Sequence, residues 1–387
     1  MNQHLLRRLS FAAFLASCSY AICRAPLLPL LARDLGATPA GVGLIVGAST
    51  MMGILLKLPA GAWSDVFGRR VFLIAAGLVF ALMPLAYLGV ASLTVLLALR
   101  FVHGSATAIF GPVSAASASD IAPADRRATW LSTLSMLQGI GQIVAPLIAG
   151  VLLSRAGYNA AFVVSSLVAI AVPVVLWRWP RHQARVTQNR WHLFRGGVAA
   201  VMRDRAIVFT SLTQAAVLGA NGAVAAFLPL YASEVMGLTP FAIGALFALQ
   251  ALVGLAARPV AGQWSDRLGR QPMLVAGLIT FGVSIACVPI ASGPLSLSLP
   301  VIASAAGVAI ATTAASALIT DRSRQANYGA AHGVFGTIYD VGDAMGPIAA
   351  GVLVSTIGYA GMFEVAAVVA LAAAVGQPRP WRSILTC

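Results

Sequence analysis

Long apolar runs alternate with short polar gaps along the whole chain, and each run approaches the roughly 20 residues that cross a hydrocarbon core as a helix. The runs predict helices over 9–32, 41–62, 71–92, 94–119, 128–153 and 160–179, then over 206–231, 241–262, 272–293, 297–320, 328–354 and 361–377. Between the two sets lies one long polar stretch carrying Arg181, Arg185, Arg190, Arg195, Arg203 and Arg205. The expected organisation is an N-terminal six-helix bundle over 1–180, a linker over 181–205 and a C-terminal six-helix bundle over 206–387.

The chain also matches itself at an offset of 201 residues. Gly61-Ala62-Trp63-Ser64-Asp65 with Gly68-Arg69 recurs as Gly262-Gln263-Trp264-Ser265-Asp266 with Gly269-Arg270. Pro146, Gly150, Gly157-Tyr158 and Phe162 recur as Pro347, Gly351, Gly358-Tyr359 and Phe363; Gly36, Lys57 and Asp120 recur as Gly237, Arg258 and Asp321. One six-helix unit has been duplicated. The fold class this predicts is an all-α polytopic membrane protein, with twelve transmembrane helices in two pseudo-symmetric bundles.

Composition agrees with the pattern. Of 387 residues, 59% are apolar and 9% charged, against about 25% charged in soluble domains. The net charge of +14 would point to nucleic acid in a soluble chain, but the cations gather in the gaps between apolar runs, where the partner is lipid. With the N-terminus in the cytoplasm, 19 of the 25 basic residues fall on cytoplasmic segments, two (Arg33 and Arg155) on outer loops and four inside helices. The positive-inside rule therefore places both termini in the cytoplasm, and the expected location is a bacterial inner membrane. Six crossings per half return the chain to its starting side, so the two halves repeat in parallel. Cys18, Cys23, Cys287 and Cys387 show neither disulfide-framework nor metal spacing, so no metal or cofactor is expected. Arg7-Arg8 followed by Leu15-Ala16-Ser17-Cys18 resembles a lipoprotein signal, yet the apolar run continues to Leu31 and reads as an uncleaved helix.

The residues in the gaps carry a resemblance. Positions 61–70 read G-A-W-S-D-V-F-G-R-R and 262–271 read G-Q-W-S-D-R-L-G-R-Q, similar to the G-x-L-[AS]-D-[RK]-x-G-[RK]-[RK] loop of twelve-helix major facilitator superfamily transporters. The departures are Trp63, Val66, Trp264 and Gln271. The resemblance implies a gating motif at Gly61, Asp65, Gly68, Arg69 and Arg70, and at Gly262, Asp266, Gly269 and Arg270. By that resemblance Asp65 would latch the start of helix 11 and nearby Arg126 or Arg127 in one state of the cycle. Its chemistry suits the place, because a carboxylate caps a helix N-terminus and arginines stay with headgroups. Gly141-x-x-x-Ala145-Pro146-x-x-x-Gly150 in helix 5 resembles a drug–proton antiporter motif, with Ala145 and Ala149 replacing two glycines, and points to efflux. Its repeat around Gly346, Pro347 and Gly351 in helix 11 leaves open that both report only close packing of the duplicated scaffold. Arg100, ahead of His103-Gly104 in helix 4, occupies the family's R-x-x-x-G position; the plainer reading is an arginine snorkelling to the interface.

Charges that lack a counterpart across the offset single out the cavity. Arg24 aligns with Ala225, Arg100 with Val301, Asp340 with Gly139 and Asp343 with Gln142. An ionisable side chain inside a bilayer costs about 2.5–3.5 kcal/mol even on lenient scales, so each needs a partner, a wet cavity or a function. Asp340 and Asp343 share a face of helix 11. Two carboxylates so close do not both stay ionised cheaply, which makes one of them the candidate proton carrier, with Arg24 as its counterweight. His332, on nearly the same face about two to three turns toward the cytoplasm, is the candidate relay. The plainer alternative is a fixed ion pair, Arg24 or Lys57 with Asp340 or Asp343, that clamps the halves.

Other function classes fall away. The chain's one lysine, Lys57, is followed by Leu58, so no nucleotide-binding G-K-[ST] exists. Neither G-x-S-x-G nor H-E-x-x-H occurs, the histidines do not cluster, and Gly41-x-Gly43-x-x-x-Gly47 reads as helix packing. The chain is therefore expected to be a secondary active transporter rather than an enzyme. It would be a monomer in lipid that exports a drug-like compound or metabolite against protons, with proton-coupled uptake of a metabolite, including an anionic one, as the alternative.

Overall fold

The computed structural model describes residues 2–180, 201–323 and 328–377. Residues 181–200, with most of the expected linker, lie outside the described residues, as do Arg324, the last ten residues and Cys387. All regular structure among the described residues is helical: α1 (Asn2–Arg24), α2 (Leu27–Asp34), α3 (Pro39–Phe67), α4 (Arg69–Ala86), α5 (Leu93–Ile121), α6 (Arg127–Leu176), α7 (Arg205–Glu234), α8 (Pro240–Leu268), α9 (Arg270–Ala286), α10 (Pro294–Arg322) and α11 (Tyr328–Val375), with two short 3-10 turns.

Twelve crossings follow from these eleven helices. α1 and α2 form one crossing interrupted at Pro26, which has no amide hydrogen to give the helix. α6 and α11, of 50 and 48 residues, each cross twice. Their turning points are Gly157 (φ 77°, ψ −174°) and Gly358 (φ 75°, ψ −178°), a backbone region open only to glycine. Where the apolar pattern gives two helices and a loop, the chain keeps winding and swivels on one residue. The helices also outrun the apolar runs: α3 continues to Phe67 and α8 to Leu268, so the Gly-x-Trp-Ser-Asp segments are helix rather than loop. Hydropathy marks the membrane's thickness, whereas the break falls where Gly68 (φ 93°) and Gly269 (φ 97°) end each helix. Thr38 and Thr239 start α3 and α8 alike, each accepting an amide hydrogen bond three residues on, ahead of a proline at the first helical position.

Within each half the first crossing packs along the fifth and sixth, α1 on α6 and α7 on α11. Across the halves, α3 packs on α11 and α6 on α8. These two seams close at the arginine-poor end, where Gly351 lies against the Pro39–Ala40 backbone and Gly150 against Pro240–Phe241. Arg33 of α2 adds an ion pair to Glu234 of α7 at 3.5 Å and a hydrogen bond to Ser233 at 3.3 Å.

Candidate functional site

A cavity of about 750 Å³ opens between the halves, walled by α1, α3, α4, α5 and α6 on one side and α7, α8, α10 and α11 on the other. Its charged lining is Arg24, Lys57, Arg258, Asp340 and Asp343, so three of the four unmatched intramembrane charges face it and Arg100 does not.

Asp340 is buried, and its Oδ2 meets Lys57 Nζ at 2.5 Å, an ion pair between α11 of one half and α3 of the other. Asp343 lies one turn on and accepts a hydrogen bond from Thr50 Oγ1 of α3 at 3.2 Å. Both carboxylates thus bind the facing bundle through the same helix. Arg24, at the C-terminal end of α1, lines the cavity but makes no ion pair or hydrogen bond among the described residues; the cation opposite Asp340 is Lys57. His332 Nε2 pairs with Thr320 Oγ1 at 3.1 Å, and the rings of His332, Phe335 and Tyr339 meet edge to face in sequence along α11, ahead of Asp340.

Arg100 is fully buried, so it does not snorkel. Its Nη2 donates to Ser49 Oγ at 2.8 Å and to Tyr20 Oη at 3.3 Å, and its guanidinium sits 5.4 Å from the centre of the Tyr20 ring. Tyr20 donates to Ser49 Oγ at 3.0 Å, while His103 Nδ1 bonds Tyr87 Oη at 3.0 Å. Nε and Nη1 of Arg100 and Nε2 of His103 find no partner among the described residues. Sequence reasoning singled out Arg100 but missed Tyr20 and Ser49, which connect it to the cavity. Both are unremarkable residues in apolar helices, and only spacing along the α1 and α3 faces distinguishes them.

The gating motifs form two matching clusters. Arg69 bridges Asp65 (2.5 Å) and Asp120 (3.1 Å) and donates to Ser64 Oγ at 2.7 Å, tying the end of α3 and the start of α4 to the end of α5. Arg270 likewise pairs with Asp266 and, at 2.9 Å, with Asp321. Asp65 sits in the last turns of α3, where its carboxylate meets Arg69; Arg126 pairs with its neighbour Asp125 at 3.6 Å. Residues 324–327, just ahead of helix 11 where the expected latch would close, lie outside the described residues. Arg70 stacks over Trp177 at 5.6 Å. Gly61 has open space beside it and Gly262 meets only the Thr313 side chain, at 4.0 Å, so neither lets backbones approach closely.

The helix 5 and helix 11 motifs are sites of close packing. Gly141 lies against the α1 backbone at Phe14 and Cys18. A Cβ on Gly346 would fall on the Gly219 carbonyl of α7, and the Pro347 carbonyl fills the space beside Gly43 of α3. The Pro146 carbonyl fills the equivalent space beside Gly244 of α8.

Comparison with known proteins agrees with this architecture. The chain matches the model of the Major Facilitator Superfamily over residues 9–258 and 210–382. It is 23% identical over 351 residues to an uncharacterized MFS-type transporter of Methanocaldococcus jannaschii, covering 89% of this chain and 90% of that protein. It is 24% identical over 379 residues to the multidrug resistance protein MdtG of Yersinia enterocolitica, covering 92% and 88%. A shorter match, 30% over 154 residues, joins 40% of the chain to 35% of the niacin transporter NiaP of Acinetobacter baylyi. The crystal structure of a bacterial homolog to the human lysosomal transporter Spinster shares the fold, with a TM-score of 0.79 at 16% identity over 97% of this chain and 94% of that one.

Proposed function

The chain belongs to the major facilitator superfamily, and on that premise we propose that it exports a small organic molecule across the bacterial inner membrane by proton antiport through alternating access. The observation that carries this reading is the pair of cross-bundle contacts made by Asp340 and Asp343 on the wall of the cavity. A proton arriving at Asp340 removes its charge, releases Lys57 and loosens α11 from α3. When the proton leaves, the attraction returns and draws the bundles together. A difference of about 1.4 kcal/mol between states is enough to bias them tenfold. The proton carrier is thereby also a contact whose making and breaking the rocking of the bundles requires.

The remaining assignments fit one scheme. Residues 1–180 and 206–387 rock as two bodies joined by the linker over 181–205, with both termini in the cytoplasm. The Arg69 and Arg270 clusters sit at the cytoplasmic end, and the seams at Gly150 and Gly351 close the outer end. Relatives named as multidrug resistance proteins support the outward direction. Proton-coupled uptake is the second reading, favoured by the partial match to a niacin transporter.

Proteoliposomes with an imposed pH gradient and an internal pH dye separate the two, because antiport and symport move protons in opposite directions relative to substrate. Asp340→Asn and Asp343→Asn, assayed separately for proton and substrate flux, identify the carrier. At least one should lose gradient-driven transport by about tenfold or more while retaining exchange down a substrate gradient. If both keep gradient-driven transport with an unchanged pH profile, the acids are structural.

A further inference from the structure

We infer that the cavity takes an organic anion, its oxyanion head against the α1–α3 wall at Arg24, Tyr20 and Ser49 and an apolar body along Phe80 and Phe110. The inference rests on the transport reading, since it names the cargo of the same cavity. Three cations and two carboxylates line the space, and both carboxylates are engaged, Asp340 by Lys57 and Asp343 by Thr50. Arg24 has no ion pair or hydrogen bond among the described residues and faces the cavity. One layer behind the same wall, Arg100 is fully buried with only neutral hydroxyls as hydrogen-bond partners and two nitrogens unsatisfied.

A buried cation without a carboxylate is expensive unless a counter-charge arrives. Here the place for it is set by Tyr20 and Ser49, which lie between Arg100 and the cavity and line that cavity themselves. Ser49 Oγ accepts from both Arg100 and Tyr20, which leaves the serine's own proton to donate. An oxyanion at this wall meets a guanidinium suited to bidentate contact, a hydroxyl donor and the field of a second guanidinium. A cation entering the same space finds its two carboxylates already satisfied and the net charge against it. The aromatic rings of Phe80 and Phe110 on the same wall suit a flat apolar body.

Three probes with one body and different heads test this: 1-naphthoate, 1-naphthylmethylammonium and 1-naphthylmethanol. Saturable binding to the full chain is measured by equilibrium dialysis in nanodiscs of zwitterionic lipid, against empty nanodiscs. Naphthoate should bind about tenfold tighter than either other probe, and Arg24→Gln should erase that preference. Arg155→Gln, which removes the same charge outside the cavity, should leave it intact. Arg100→Lys, which keeps the charge but not the fork, should weaken naphthoate by a smaller factor. The inference is overturned if the ammonium or the alcohol binds as tightly as naphthoate, if naphthoate shows no saturable binding, or if Arg24→Gln keeps the full preference. Flux in proteoliposomes distinguishes the two readings. An anion preference without gradient-driven flux of any probe removes the transport reading and leaves the anion site, whereas gradient-driven flux of the ammonium alone does the reverse.

Discussion

Lys57 is the only lysine among 25 basic residues, and it sits on α3 with Asp340 of α11 on its ammonium. Its side chain is 39% exposed and that of Asp340 8%, so water reaches the cation while the acid depends on it. That asymmetry predicts unequal single variants. Lys57→Gln strands a buried carboxylate and should lower the melting temperature more than Asp340→Asn, which leaves a wet ammonium. The double variant should recover part of the loss, with a coupling of about 0.5–3 kcal/mol in a thermal-melt double-mutant cycle. Additivity of the two losses would mean that the contact carries no energy. Of the site, the acids, Arg24 and Arg100 were legible in the sequence because each breaks the 201-residue symmetry, and a charge in lipid declares itself. Lys57, matched by Arg258 across the offset, was legible only as one alternative partner for the acids, yet of that pair it is Lys57 that meets an acid in the cavity. Symmetry of sequence is not symmetry of contact. A hydroxyl such as Tyr20, Ser49 or Thr50 costs too little in an apolar helix to be conspicuous until the fold brings it to a charge.

At the scale of the element, helix number and order were legible because hydrophobic thickness dictates them, and the ends were not, because they depend on caps and single backbone angles. The sharpest case is the turn between the fifth and sixth crossings of each half. Gly157 and Gly358 hold matching glycine-only angles, and the tyrosine that follows each one bonds a carboxylate at the end of that half's first crossing: Tyr158 to Asp34 at 2.6 Å and Tyr359 to Glu234 at 2.7 Å. Open space lies beside both glycines, so an alanine there is opposed by the backbone rather than by a clash. Gly157→Ala and Gly358→Ala should each destabilise by about 1–3 kcal/mol in reversible unfolding from mixed micelles. Gly61→Ala, a helical glycine with the same free space, should be neutral or slightly stabilising. Equal effects at the three positions would show that the turn does not require its unusual angles.

For the whole molecule, the two bundles meet tightly at the arginine-poor end and part around the cavity, and one charged side chain spans the closed end. Arg33 holds Asp34 of its own half at 2.8 Å and reaches Glu234 and Ser233 of the other. Tyr359 bonds the same Glu234, so this carboxylate gathers α2, α7 and the turn inside α11 at one point. The pair is about one-third exposed, which by itself limits it to about 1 kcal/mol or less. A term that small does not hold the fold, but it matters in a balance between two states separated by a few kcal/mol. Arg33→Ala should therefore leave the melting temperature within about a degree or two while shifting the population toward opening at this end. The readout is the rate at which a membrane-impermeant maleimide, added from that side, modifies a cysteine replacing Asn221 of the cavity wall, in a chain whose own cysteines have been replaced by serine. A rise of about two- to fivefold is the expected result, that being what a term of this size does to a two-state equilibrium. Glu234→Gln should raise the rate by less, since its amide still accepts from Tyr359. An unchanged rate in both variants would assign the closure to the glycine seams alone, where Gly351 and Gly150 let backbone meet backbone without any charge.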